Sequence, residues 1–150
     1  MQVLITQNSK EDYMQKTLII FFFIFVLAAG IWSCGTTTIL LQDKGGAGKY
    51  LTDARGMSLY AFKKDLDGQS TCIEDCINRW PVFYKENISV PEGVNAKDFS
   101  TILRIDGGGK QSAYRGRPLY YFFQDKDPGD MKGEGINNAW YVIYPGKFKP

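Results

Sequence analysis

The sequence has no histidine at all. That single absence excludes Ser-His and Cys-His nucleophiles, histidine-ligated zinc or haem, and an imidazole switch near neutral pH. Cysteine is scarce too, with three residues in 150, and charge is almost balanced, with 18 basic against 16 acidic residues and a formal net charge of +2. A protein that grips nucleic acid through its phosphates needs a basic excess that is missing here, so no nucleic-acid partner is expected. The GGAGK run at 45–49 lacks the spacing and the following Ser or Thr of a phosphate-binding loop. What is abundant is aromatic: 15% of residues are Phe, Trp or Tyr, and the length is that of one ordinary domain.

Long apolar runs are missing except once. Leu18 to Trp32 (LIIFFFIFVLAAGIW) is fifteen residues without a charge. A membrane-crossing helix needs ~20 apolar residues, whereas the core of an export signal needs only ~7–15. Lys16 precedes the run, and Ala28, Ala29, Gly30 and Ser33 supply small residues near its end. Residues 1–33 therefore read as a signal helix, with Met14 a better start than Met1 because MQKTLIIFFF has the normal signal layout. Ile31-Trp32-Ser33-Cys34 resembles a bacterial lipobox. The resemblance implies that Cys34 carries the acyl chains and becomes the mature N-terminus, and two or three chains hold a protein firmly to a membrane. The alternative is an uncleaved anchor with an incidental cysteine. Gly35 in place of Asp directs a lipoprotein to the outer membrane, facing periplasm or surface, on the enterobacterial rule.

With Cys34 acylated, Cys72 and Cys76 remain. In an oxidising envelope their C-x3-C spacing suits a local disulfide across one helical turn. Redox-active thiols or a metal site are the alternatives, although the spacing is not that of thiol oxidoreductases or of covalent haem attachment.

Laid against itself at an offset of 60, the chain repeats. Gly56-Met-Ser-Leu59-Tyr60-Ala-Phe62-Lys-Lys-Asp65 matches Gly116-Arg-Pro-Leu119-Tyr120-Tyr-Phe122-Phe-Gln-Asp125. Asn78, Trp80, Val82 and Tyr84 match Asn138, Trp140, Val142 and Tyr144. With a three-residue gap, Thr38-Ile39-Leu40 also matches Thr101-Ile102-Leu103. The expected architecture is mainly β: two tandem repeats of about 50 residues sharing one core with approximate two-fold symmetry, because so small a unit cannot bury its own apolar face. The lipidated N-terminus and first strand occupy 34–48, the first repeat 49–84, a polar linker 85–97, and the second repeat 98–150. Strands are expected at 36–41, 49–53, 101–105 and 111–114, then through SLYAF and PLYYF, and again at 80–84 and 140–144. Leu59 and Ala61 face one way, Tyr60 and Phe62 the other. A short helix is expected at Cys72–Arg79.

The doubled Tyr-x-aromatic-x-x-Asp (YAFKKD at 60–65, YYFFQD at 120–125) resembles the predicted lipoproteins with a repeated Y-x-[FWY]-x-x-D motif, a secreted repeat of unknown function. Cys72, Cys76, Trp80 and Pro81, and the D-x-x-P-G-D loop of the second copy, are similar as well. The resemblance implies an envelope lipoprotein and brings no established activity or functional residues.

Two side-chain sets carry chemistry. Asp125, Asp127, Asp130 and Glu134 offer oxygen ligands for calcium, though not in EF-hand order, and Asp commonly caps turns instead. Tyr60, Phe62, Trp80, Tyr120, Phe122 and Trp140 either line a groove for sugar rings or a flat cofactor, or fill the core, with Trp80 and Trp140 in equivalent buried places. No cofactor is predicted. The leading functional reading is a non-catalytic envelope lipoprotein, a binding or interaction module whose partners are the membrane, through its anchor, and other envelope proteins. The alternatives are an accessory part of an extracytoplasmic redox or electron-transfer system, and a hydrolase using the Asp pairs.

Overall fold

Short runs of β-branched and aromatic residues, cut every few positions by glycine, favour antiparallel strands with tight turns. A computed structural model of the chain describes residues 38–46 and 48–150, and there this pattern becomes seven strands. Ile39–Asp43 (β1) and Lys49–Asp53 (β2) form a two-stranded sheet. Tyr60–Phe62 (β3), Phe99–Leu103 (β4), Lys110–Tyr114 (β5), Arg117–Tyr120 (β6) and Trp140–Val142 (β7) form a five-stranded sheet in the order β4-β5-β6-β3-β7. A bridge between Thr52 and Ser58 links the two sheets. Gly56 and Gly116 open the turns into the Leu-Tyr strands at φ +82° and +80°, a conformation that costs glycine little and other residues much. Among the described residues, no helix is long and apolar enough to cross a membrane.

The repeats meet at Tyr60 and Tyr120, which pair directly across β3 and β6. From there the pattern is two-fold. Tyr60 pairs with Val142 while Tyr120 bridges to Val82, the two tyrosines and the two valines each being equivalent at an offset of 60. Ile143 N–H donates to Leu59 C=O at 3.1 Å, and Phe83 N–H to Leu119 C=O at 3.0 Å. The mainly β, two-repeat architecture read from the sequence is the one present. Both copies contribute to each face of the sheet. Tyr60, Trp80, Tyr120, Phe122 and Trp140 pack on one face, and Leu59, Ala61, Phe83, Leu119 and Ile143 on the other, which is the alternation read from SLYAF. The linker is not merely polar: Ile88, Val90 and Val94 pack against the second face, and Ser89 C=O accepts from Thr38 and Ile39 N–H.

Some details differ from the sequence reading. Leu51 N–H donates to Ile143 C=O and Ser112 N–H to Phe83 C=O, so Leu51 and Ser112 are equivalent at an offset of 61, and their partners Leu41 and Thr101 are sixty apart rather than sixty-three; the extra residue lies in the turn between the paired strands. The expected strand at 80–84 is reduced to the single bridge of Val82, because Pro81, in the place of Tyr141, has no N–H to give the ladder. Its counterpart β7 stops at Val142. The helix (α1) spans only Asp75–Arg79, since Glu74 at φ 52° cannot belong to it. The signal helix expected in 1–33 lies outside the described residues.

Candidate functional site

The doubled motif is built by exchange. Asp65 N–H donates to Phe62 C=O at 3.0 Å and Asp125 N–H to Phe122 C=O at 3.1 Å, so a tight turn after each strand swings the carboxylate back under the sheet. There Tyr60 Oη donates to Asp125 Oδ2 at 2.6 Å, and Tyr120 Oη donates to Asp65 Oδ2 at 2.8 Å. Each tyrosine thus serves the aspartate of the other copy. Asp65 also accepts from Thr71 N–H at 2.6 Å and Thr71 Oγ1 at 3.0 Å, and Asp125 from Lys132 N–H at 2.9 Å. The carboxylates are 2% and 6% exposed. Burial raises the Asp65 carboxyl above its ordinary value, and its hydrogen bonds only partly offset this. Burial first, then the facing carboxylate, pushes both tyrosine hydroxyls far above theirs.

Between these pairs stand the aromatic rings. Trp80 and Trp140 stack face to face, centroids 3.7 Å apart and planes 3° from parallel. Phe62 lies on the outer face of Trp140 at 4.2 Å and Phe122 on that of Trp80 at 4.5 Å. Tyr60 meets Trp80 edge-on at 5.4 Å and Tyr120 meets Trp140 at 5.1 Å, the edge-to-face geometry that aromatic quadrupoles prefer. A Cβ on Gly133 would come within 2.8 Å of Trp80 and 2.9 Å of Tyr60, so the loop carrying it closes on the rings only as glycine. Trp80 and Trp140 are 4% and 3% exposed, and of the six rings only Phe62 reaches an open groove.

Tyrosine, aromatic and aspartate at this spacing, twice over and interlocked, make one structural unit of two copies. A family model described as a secreted repeat of unknown function matches residues 43–84 and 100–144, more than half of the chain. The chain belongs to this secreted-repeat family. No curated protein and no solved structure matches it.

In this secreted-repeat protein Cys72 and Cys76 form a disulfide with Cα atoms 5.3 Å apart. Cys72 precedes α1 rather than lying on it, so the bond ties the incoming loop to the first turn of the helix. Cys34 lies outside the described residues. The calcium candidates are not brought together, and no group of three or more His, Cys, Asp or Glu suited to a metal occurs among the described residues. Asp125 is engaged as above. Asp130 Oδ2 accepts from Lys132 Nζ at 2.7 Å and from the N–H groups of Lys126 and Asp127, which hold its carboxyl down at about 2. Glu134 Oε2 accepts from Val142 N–H at 2.6 Å, capping the outer edge of β7 against further strand pairing.

Three features escaped the sequence reading. Arg104 is buried, donating to Ser70 Oγ, Gln111 Oε1, Cys72 C=O and Asp106 Oδ2, and Ser70 Oγ in turn bonds Tyr120 Oη. Nothing about Arg104 in sequence, in a loop beside Asp106, separates it from a solvated cation. Asp53 gathers Tyr121 Oη at 2.9 Å, Arg55 Nε at 2.9 Å and two turn N–H groups. Burial works against its charge, but these donors outweigh it and hold the carboxyl below its ordinary value. The third is a groove of about 580 Å³ beside β3 and β7. Its walls are Phe62, Tyr141, Tyr144 and Phe148, and Lys63, Arg117, Lys147 and Lys149 stand around it. A sequence signal existed, in the cluster YPGKFK at 144–149, but it lies past the repeat motif.

Proposed function

We propose that the protein is a lipid-anchored cell-envelope module, held at the outer membrane through Cys34, that binds a ligand in the groove beside β3 and β7 and performs no catalysis. One observation carries this reading: the motif residues that look reactive, Asp65, Asp125 and their tyrosines, are closed into each other, whereas Lys63, Tyr141 and Lys149 are exposed along the groove. A groove of this size, apolar in its walls with a few polar groups, is the ordinary form of a ligand site. The C-x3-C pair supports the same reading as a structural bond in an oxidising compartment.

Two measurements test it. A fatty-acid probe should label the wild-type chain in cells and fail to label Cys34→Ala; label retained in the variant overturns the anchor. The full chain in mild detergent should co-sediment with delipidated envelope material from its own cells. Tyr141→Ala, which alters a side chain 37% exposed, should stay in the supernatant with its melting point unchanged. Equal sedimentation of variant and wild type overturns the groove as the binding site.

A further inference from the structure

The two copies allow a comparison within one chain. At an offset of 60 the core positions agree: Leu59 with Leu119, Tyr60 with Tyr120, Phe62 with Phe122, Asp65 with Asp125, and Trp80 with Trp140. Part of the groove does not. Lys63 corresponds to Phe123, Arg117 to Met57 and Tyr141 to Pro81, whereas the groove's Phe62 and Tyr144 keep Phe122 and Tyr84 as counterparts. Lys63 N–H donates to Ala139 C=O and Phe123 N–H to Arg79 C=O, so the fold does not require a cation at that position; Pro81 in the place of Tyr141 leaves only the bridge of Val82, and Arg117 also donates to Asp65 C=O. What Lys63, Arg117 and Tyr141 share is the groove.

The chemistry of the groove is specific in three ways. Phe62, stacked on Trp140 from behind, and Tyr141 and Tyr144 give rigid flat faces of the kind that pack on rings. Lys63, Arg117, Lys147 and Lys149 surround them; Glu134, the acidic side chain of this lining, already accepts from Val142 N–H, and Arg117 also donates to Asp65 C=O. Four cationic side chains on one groove suit a ligand that carries several negative charges. Finally, Tyr144 and Lys147 are shared with a second groove of about 380 Å³, where Lys49 adds a cation and Glu92 a carboxylate. The track is longer than a single ring needs. With a net charge of only +2, the chain lacks the general basic field of a nucleic-acid binder.

We infer that this groove binds an acidic glycan: a chain of sugar or polyol units bearing carboxylates or phosphates, its ring faces on Phe62, Tyr141 and Tyr144 and its charges on Lys63, Arg117 and the lysines of 147–149. The inference rests on the binding reading above and names the ligand class for the same groove.

The test uses the full chain in mild detergent against immobilised oligomers of galacturonate, as the carboxylate source, and of glycerol phosphate, as the phosphate source. Neutral cello-oligosaccharides of equal length, phosphatidylglycerol vesicles and single-stranded DNA serve as comparisons. At least one acidic glycan should bind, more weakly as salt rises. Lys63→Glu with Lys149→Glu should weaken it by about tenfold or more, as should Tyr141→Ala, with melting points unchanged. Whichever acidic oligomer binds identifies the anion. Failure of both, equal binding of the neutral glycan, tighter binding of vesicles or DNA, or indifference to the variants overturns the inference. If both fail while wild type, and not Tyr141→Ala, still sediments with envelope material, only the ligand class is wrong and the binding reading stands.

Discussion

Tyrosine and aspartate do most of the buried polar work in this molecule, and their pairing has a consequence at high pH. Tyr60, Tyr120 and Tyr121 each donate a phenolic O–H to a buried carboxylate, of Asp125, Asp65 and Asp53. Burial, then the negative partner, raises all three above the ordinary tyrosine value of 10.0. The folded chain holds the neutral phenol more tightly than the unfolded chain does. Stability from these residues is therefore complete below about pH 10 and is lost as pH rises through their folded values. In an alkaline titration, Tyr60, Tyr120 and Tyr121 should give tyrosinate absorbance only as the circular dichroism of the fold collapses. Tyr→Phe difference spectra that show these three ionised near pH 10 with the fold intact would contradict the Tyr–Asp exchange. On the acid side the carboxyls oppose each other. Asp53, lowered, contributes stability present above about pH 4 and lost as pH falls, whereas Asp65, raised, loses stability as pH climbs past that value.

Among the elements, the segment from Cys72 to Trp80 shows both how far the sequence could be read and where reading stopped. The disulfide was legible in the C-x3-C spacing of Cys72 and Cys76, which brings two thiols within reach of one another. The helix was overextended because nothing in ST-CIEDC announces that Glu74 takes φ 52° and delays the first turn to Asp75. At the far end, Trp80-Pro81 carries the aromatic pattern of a strand, yet proline withholds the N–H that its counterpart Tyr141 supplies to β3. Patterns of burial survive translation into sequence; single backbone torsions and missing donors do not. The disulfide closes a loop with a sequence separation of only 4, and on the chain-entropy model such a loop contributes about 2 kcal/mol. Cys72→Ser with Cys76→Ser should lower stability in denaturant melts by that margin and leave the β circular dichroism in place. Loss of the sheet signal would mean instead that the bond is required for α1 and the rings it packs beside to assemble at all.

For the molecule as a whole, the repeat was plain in the sequence, and its consequence was not. An offset of 60 says which residues are equivalent but not which ones touch, and here the equivalent residues touch each other: Tyr60 pairs with Tyr120, and Trp80 stacks on Trp140. Every Tyr–Asp bond of the motif crosses from one copy to the other. Neither repeat expressed alone should fold, because each would expose half of a ring stack and bury a carboxylate without its phenol. Either Trp→Ala change removes a large buried aromatic and should cost ~3–5 kcal/mol. The double variant separates a shared core from two independent ones. If Trp80 and Trp140 sat in separate repeat cores, their costs would add. Because each ring is the other's nearest neighbour, the first loss already forfeits the contact, and the second removes a side chain whose partner is gone. The double variant should therefore fall short of the sum by roughly 0.5–3 kcal/mol, the range found for residues in direct contact. Additive costs in a denaturant double-mutant cycle would mean that the two repeats do not share this stack.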